Sequence, residues 1–155
     1  MYLNIKGYQA MKIKNILLDY NGTIATDGKL SLEIKEAIQK LSNHLRIHII
    51  TANTNESALE ELKDMPVDIF IIKGNREDIE KQKYLYEIGN DKTIAVGNGY
   101  NDALILKDSI IGIGVIGEEG IAKDAFFNCD IVVKSGLEAL ELLLKTNRLI
   151  ATMRK

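Results

Sequence analysis

The amino-acid sequence predicts an α/β protein in which helices cover both faces of a mainly parallel β-sheet. Apolar runs of about four to seven residues alternate with amphipathic stretches of about ten, the rhythm of strand, helix and strand. Runs such as 16–18 and 69–72 are apolar at consecutive positions, as expected of strands buried on both faces. The 155 residues, 46% of them hydrophobic, suit one core. We therefore expect a single domain over residues 1–155, a three-layer sandwich of helices, sheet and helices.

The pattern predicts seven strands. In chain order they are 3–5, 12–18, 46–50, 67–72, 93–96, 110–116 and 130–133. The spacing between the first segment and Met11 permits a β-hairpin. We therefore expect an N-terminal hairpin as an extension of the main sheet.

Amphipathic helices are predicted between the strands. Residues 31–41 and 79–88 place their apolar side chains on one helical face. Ser135, followed three residues later by Glu138, fits a capping box ahead of a leucine stripe, so a last helix begins there.

Composition excludes several classes of protein. A formal charge of −2 gives no electrostatic footprint for nucleic acid or for an anionic membrane surface. No apolar run approaches the roughly 18 residues that span a bilayer, and the single cysteine, Cys129, cannot form an internal disulfide. We expect a soluble cytoplasmic protein whose partner is a small molecule.

Polar side chains follow three of the apolar runs, where a parallel α/β sheet collects its ligands. Asp19 follows the first long run, Thr51 follows the run 46–50, and the glycine-containing loop 97–102 follows the run 93–96. We expect a cluster of carboxylate, hydroxyl and amide groups at one edge of the sheet.

Four segments in order resemble the motifs of the haloacid dehalogenase-like (HAD) superfamily of phosphohydrolases. They are Asp19-x-Asn21-Gly22-Thr23, Thr51, Lys81 and Gly97-Asn98-Gly99-x-Asn101-Asp102. Within that superfamily the chain is similar to the phosphorylation domain of P-type ATPases and to small soluble P-type ATPase-like proteins, over residues 13 to 145. The resemblance implies a Rossmann-like core.

This resemblance also implies roles for individual residues in a Mg²⁺-dependent phosphoryl transfer. Asp19 is the expected nucleophile, Thr51 the expected donor to a phosphoryl oxygen, and Lys81 the cation that offsets the charge, with Lys83 and Lys73 as alternatives. The expected Mg²⁺ ligands are Asp19, the Asn21 backbone carbonyl, Asn98 and Asp102. The expected substrate contacts come from Gly22, Thr23, Ala52, Asn53 and Asn101.

Two positions depart from the superfamily pattern. Hydrolytic members usually have an aspartate at the position of Asn21, where it acts as general acid and base, and an amide cannot do so. Asn98 stands where the superfamily has a metal-binding aspartate, so one negative charge is missing and Mg²⁺ should bind more weakly. These changes leave open a second hypothesis, a catalytically weakened module that binds phosphate or regulates a partner.

The spacing of the motifs leaves no room for a cap domain. Only 27 residues separate Thr23 from Thr51, and 29 separate Thr51 from Lys81. The resemblance therefore implies a capless core with an open site, closed in such relatives by oligomerisation or by a macromolecular substrate. A phosphorylated small molecule, a phosphoprotein and a homo-oligomer all stay open.

Overall fold

A parallel β-sheet forms the centre of the computed structural model, which describes residues 1–52 and 56–155 and the side chains of all of these except 56–58. The sheet contains β3 (Asn15–Asp19), β4 (Arg46–Thr51), β5 (Asp68–Ile71), β6 (Thr93–Gly97), β7 (Ile111–Val115) and β8 (Ile131–Val133). A separate antiparallel hairpin pairs β1 (Tyr2–Leu3) with β2 (Met11–Lys12). The predicted fold class and the N-terminal hairpin are confirmed.

The strand order places the first motif at the middle of the sheet. The order is β5-β4-β3-β6-β7-β8, and every neighbouring pair is parallel. The chain moves outward from β3 to β4 and β5, then returns to the other side of β3 with β6. Strand order therefore reverses at β3, and the carboxyl end of a strand at such a reversal is where open α/β sheets form a crevice.

Helices cover both faces of the sheet. Their bounds are α1 Leu32–Leu41, α2 Glu56–Leu62, α3 Glu77–Ile88, α4 Ala103–Asp108, α5 Lys123–Asn128, α6 Gly136–Leu144 and α7 Thr146–Met153. Ile16 and Leu18 of β3 pack in the core on the α1 and α6 face, whereas Leu17 packs with Leu85 of α3 and Ile105 of α4 on the other. Each strand thus buries alternate residues on opposite faces, which gives the three layers.

The predicted strand 12–18 is divided in two. Ile13 N donates to Met1 O and Lys14 N donates to Lys92 O, so these two residues bond outside the ladder that β3 forms. The chain leaves the hairpin there and enters the main sheet at Asn15. The sequence pattern could not reveal this break, because the alternation of exposed Lys12 and Lys14 with buried Ile13 is itself typical of a strand.

Helix starts agree with the capping signals. Ser31 Oγ accepts a hydrogen bond from Ile34 N, and Ser135 Oγ accepts one from Glu138 N. The Glu138 carboxylate accepts from Lys134 N, one residue before the position that a capping box uses.

Along the described ranges 1–52 and 56–155, no helix combines the length and the apolar character needed to cross a membrane.

Candidate active site

Three of the predicted motifs end neighbouring strands at the same edge of the sheet. Asp19 ends β3, Thr51 ends β4 on one side of it, and Gly97 ends β6 on the other. Because the three strands are parallel, their carboxyl ends meet. The expected cluster of polar groups therefore lies along one rim, centred on Asp19.

A buried lysine joins two aspartates at this rim. Lys81 Nζ donates to Asp19 Oδ1 at 2.6 Å and to Asp102 Oδ1 at 2.7 Å. Lys81 is 1% exposed, on the face of α3 that also buries Leu85, one turn further along the helix. The ammonium group thus bridges both carboxylates in a space from which water is nearly excluded.

Asp102 holds the loop that follows β6. Its Oδ2 accepts hydrogen bonds from Asn98 N at 3.0 Å and Gly99 N at 2.9 Å, while its Oδ1 accepts from Lys81. The side chain is completely buried. Both of its oxygens are therefore bonded to protein donors, and they fix the loop relative to Lys81.

Thr23 and Asn98 complete the polar cluster on the other side of Asp19. Thr23 Oγ1 lies 3.0 Å from Asp19 Oδ2 and 3.1 Å from Asn98 Oδ1. Asn98 Nδ2 donates to Gly120 O at 3.1 Å, which turns the amide oxygen towards Thr23. Two side-chain oxygens, one from Asp19 and one from Asn98, therefore converge on the Thr23 hydroxyl.

Burial and charge shift the pKa values of the central pair. Burial and the neighbouring Asp102 together raise the pKa of Asp19 to about 7, although Lys81 and Thr23 partly oppose the shift. Burial alone would lower the pKa of Lys81, but Asp19 and Asp102 together raise it above its usual value. Lys81 is therefore a permanent cation, whereas Asp19 gains a proton readily when no further cation is near.

The remaining predicted residues lie in several environments. Thr51 is buried at the end of β4, whereas Asn21 and Ala52 are exposed. Asn101 Nδ2 donates to Glu77 Oε2 at 2.5 Å, so its amide links the loop to the start of α3. Asn53 lies outside the described residues. Of the three lysines considered, Lys81 reaches Asp19, while Lys83 and Lys73 are exposed.

A glutamate that the motif search missed also lies at this rim. Glu119 is exposed in the loop after β7, and a Cβ added to Gly22 would collide with its carboxylate and lie 2.8 Å from Asn98 Nδ2. Gly22 has a φ of +72°, which suits a residue without a side chain. The sequence could have indicated Glu119 only by its position, because it lies in the loop after a strand, at the same edge of the sheet where Asp19 ends β3.

A cavity of about 720 Å³ adjoins the cluster at Gly22 and Thr23. Its apolar lining includes Leu30 and Ile34, and Lys134 adds a cation. This volume falls within the range of small-molecule sites, roughly 300 to 1,000 Å³. The cavity is therefore large enough to hold a small molecule.

The oxygen atoms beside Asp19 fit a divalent cation of the magnesium type. Asp19 Oδ2 and Asn98 Oδ1 lie on either side of Thr23 Oγ1, and carboxylate and amide oxygens are the ligands that hard cations prefer. Within the described parts of the chain, no three side chains of His, Cys, Asp or Glu are grouped to hold a metal. The available donor set therefore has little negative charge.

The chain has the fold of HAD superfamily phosphatases. It superimposes with a TM-score of 0.71 on 3-deoxy-D-manno-octulosonate 8-phosphate phosphatase from Moraxella catarrhalis, at 17% identity over 92% of this chain and 94% of that one. That structure contains magnesium and phosphate ions and a KDO molecule. The cobalt-bound phosphatase from Haemophilus influenzae gives 0.70 at 12% identity, over 92% and 90% of the two chains. A subfamily III A hydrolase from Legionella pneumophila gives 0.72 at 13% identity, over 91% and 87%.

Sequence comparison identifies relatives that have no assigned function. The chain belongs to the same family as the uncharacterized protein MJ0073 of Methanocaldococcus jannaschii, with 49% identity over 86 residues, 53% of this chain and 92% of the relative. The uncharacterized protein MJ0072 of the same organism is 51% identical over 41 residues, 26% of this chain and 93% of its own length. No protein-family model matches the chain.

Proposed function

We propose that the protein is a Mg²⁺-dependent phosphohydrolase that works through an aspartyl-phosphate on Asp19. The observation that carries this proposal is the environment of Asp19, whose carboxylate contacts Lys81 Nζ at 2.6 Å and Thr23 Oγ1 at 3.0 Å at the end of the central strand. A carboxylate that must attack an anionic phosphoryl group needs a fixed position and nearby positive charge. Lys81 supplies both.

In the proposed first step an oxygen of Asp19 forms a bond to phosphorus while the bond from phosphorus to the leaving-group oxygen breaks. Lys81 offsets the charge of Asp19 and of the phosphoryl group, and Thr51 donates to a phosphoryl oxygen. In the second step a water oxygen attacks phosphorus, the bond to Asp19 breaks, and inorganic phosphate leaves. Asp19 is regenerated, so the cycle needs no other reactant.

A divalent cation, when bound, would neutralise charge on the carboxylate and on the phosphoryl oxygens. Asp19, Asn98 and the Asn21 carbonyl are the proposed ligands. Asp102 as a ligand stays a prediction from the sequence. In the structure its two oxygens bind Lys81 and the loop amides, a contact set that supports a positioning role.

Asn21 restricts the substrates that this site would hydrolyse quickly. Its amide cannot protonate a leaving group, and general acid catalysis is worth roughly 10²- to 10⁴-fold. Substrates with good leaving groups, such as aryl and acyl phosphates or nucleoside triphosphates, are therefore favoured over alkyl phosphates. We also propose that the chain belongs to the P-type ATPase-like subgroup, on its resemblance over residues 13 to 145, and such ATPases also lack an acid at this position.

We propose a phosphorylated small molecule as the substrate and one capless domain as the catalytic unit. The cavity of about 720 Å³ beside Gly22 and Thr23 supports a small molecule, as does the phosphorylated sugar acid named for the Moraxella neighbour. Between Thr23 and Thr51 the chain forms α1 as its only helix, and α2 and β5 occupy the described residues between Thr51 and Lys81. No cap-sized insertion is present in these described segments.

The covalent intermediate provides the test. After brief reaction with acetyl phosphate and Mg²⁺, acid-quenched protein should gain the mass of one phosphoryl group on the peptide that contains Asp19. Hydroxylamine should remove it, because it cleaves acyl phosphates. Phosphate on another residue, or none in a preparation that turns over substrate, would contradict the proposed mechanism.

A second candidate function is a weakened module that binds phosphate without turning it over. The observation that favours it is the donor set, which has amides at both Asn21 and Asn98. The Asn21→Asp, Asn98→Asp double variant distinguishes the two functions. A protein inactive in its native form that becomes a phosphatase in this variant is a weakened module, whereas measurable native turnover supports the enzyme.

A further inference from the structure

We propose that Glu119 supplies negative charge to the divalent-cation site, in place of the charge that Asn98 lacks. This inference rests on the proposed function, because it assigns a further residue to the metal site of that enzyme. It concerns a loop that lies outside all four sequence motifs.

The loop that carries Glu119 is held by hydrogen bonds at both ends, and one end is bonded to Asn98. Asn98 Nδ2 donates to Gly120 O at 3.1 Å, and Ala122 N donates to Asn98 O at 2.8 Å. On the other side Gly117 N donates to Lys134 O at 2.9 Å. The backbone between these anchors is therefore held in place, and the exposed Glu119 side chain extends from it.

This position brings the Glu119 carboxylate against the loop that follows Asp19. Its Oε2 occupies the space that a Cβ at Gly22 would take, and Asn98 Nδ2 borders the same space. Among the described residues, no hydrogen bond or ion pair to Glu119 is present. The carboxylate of Glu119 therefore remains available, next to Gly22 and to the Asn98 amide, whose oxygen contacts Thr23.

A charge balance explains why the site needs this group. With both aspartates ionised, Asp19, Asp102 and Lys81 together carry a net charge of −1, and Asn98 and Thr23 add nothing. The affinity of oxygen sites for divalent cations rises with the number of negatively charged ligands. Glu119 brings the local charge to −2, which matches a divalent cation.

Metal binding itself tests the inference, with Glu118 as a matched control. Glu118 has the same charge, is exposed, and lies one position away in the same loop. Mg²⁺ affinity is measured by calorimetry and Mn²⁺ affinity by paramagnetic resonance, on metal-free native protein, Glu119→Gln and Glu118→Gln at near-physiological salt. Far-ultraviolet circular dichroism and thermal midpoints establish that each variant is folded.

Glu119→Gln should raise the dissociation constant for both cations by about 10-fold or more, the usual effect of removing an outer partner of a metal site. Glu118→Gln should change it by less than about 3-fold, since an exposed charge further away is screened by salt. Adding Asn98→Asp to Glu119→Gln should restore most of the lost affinity, because it returns one negative charge.

The outcomes separate this inference from the proposed function. Equal affinities in Glu119→Gln and Glu118→Gln would overturn the role of Glu119, while binding by the native protein that is lost in Asp19→Asn would still support the metal site. Native protein that binds neither cation would overturn the metal site and the role of Glu119 together.

Discussion

Lys81 Nζ lies 2.6 Å from Asp19 Oδ1, although the two residues are 62 positions apart in the chain. The contact joins the central strand to α3 and is almost completely buried. An ion pair in such a place costs much desolvation, which only close geometry and further hydrogen bonds can offset. Asp102 and Thr23 provide those further bonds. The pair therefore links the stability of the fold to the chemistry proposed for the site.

Replacing Lys81 with methionine should destabilise the metal-free protein strongly. Two buried carboxylates would lose their shared cation, and breaking a buried pair in this way costs about 3–5 kcal/mol. Urea denaturation at pH 8 measures the loss. The cost should be smaller at pH 5.5, because protonation of Asp19, whose pKa burial already raises to about 7, then relieves the repulsion.

Lys83→Met is the matched control for that experiment. Lys83 lies on the same helix two residues away and is exposed, so its replacement should change the free energy of unfolding by less than about 0.5 kcal/mol. Equal effects of the two substitutions would contradict the placement of Lys81 in the cluster.

Gly22→Ala should damage the site more than Gly28→Ala does. Both glycines have positive φ angles, +72° and +76°, so an alanine at either position costs roughly 1–2 kcal/mol of backbone strain. At Gly28 the added methyl group meets no atom within 4 Å. At Gly22 it displaces the Glu119 carboxylate and lies 2.8 Å from Asn98 Nδ2, which is held by its hydrogen bond to Gly120 O. Thermal unfolding of both variants measures the backbone strain that they share. Mg²⁺ calorimetry measures the further effect of the contact at Gly22. Metal affinity that falls equally in the two variants would argue against a specific contact at Gly22.

Buried His48 should contribute a loss of stability in mild acid. Burial lowers the pKa of His48 below its ordinary value near 6.5, and Arg46 adds to this while Asp68 opposes it; the ring also contacts the Tyr84 hydroxyl at 2.9 Å. Below pH 6.5 the unfolded chain takes up a proton that the folded protein resists. The contribution of His48 to the free energy of unfolding therefore falls as the pH drops below 6.5, and is recovered as the pH rises. Asp19, whose pKa is raised to about 7, contributes with the opposite sign, so the effect of His48 is the difference between the native protein and a His48 variant.

Urea denaturation between pH 5 and pH 7.5 measures this dependence. As the pH drops below 6.5, His48→Leu should gain stability relative to the native protein, whatever its effect on stability at pH 7.5. His44→Gln, at an exposed position four residues earlier, should leave the slope unchanged. An unaltered slope in His48→Leu would assign the acid sensitivity to other groups.

Periodicity was enough to predict the fold, because consecutive apolar residues in the strands and one-sided stripes in the helices reflect burial directly. The break between β2 and β3 escaped this reasoning, since it depends on the bonds that Ile13 and Lys14 make to distant backbone groups. In the site, the order of the motifs indicated Asp19, Thr51, Lys81 and the loop 97–102.

Tertiary contacts decide the details that sequence spacing could not resolve. The choice of Lys81 over Lys83 depends on which face of α3 meets the sheet, and the contact between Asn101 and Glu77 depends on how α3 packs beside the loop. Glu119 was missed because its loop has no motif of its own. Its position follows from hydrogen bonds to Asn98 and Lys134, which only the folded chain brings together.

The most direct test of Asp19 as the nucleophile is the Mg²⁺-dependent hydrolysis of an activated aryl phosphate. It is measured on native protein and on Asp19→Asn purified in parallel. An aryl leaving group needs little acid assistance, so Asn21 should not mask the activity. If Asp19 is the nucleophile, the native protein should turn over steadily and Asp19→Asn should be inactive. Circular dichroism should show that the variant keeps its fold. Turnover that survives in Asp19→Asn would contradict Asp19 as the nucleophile.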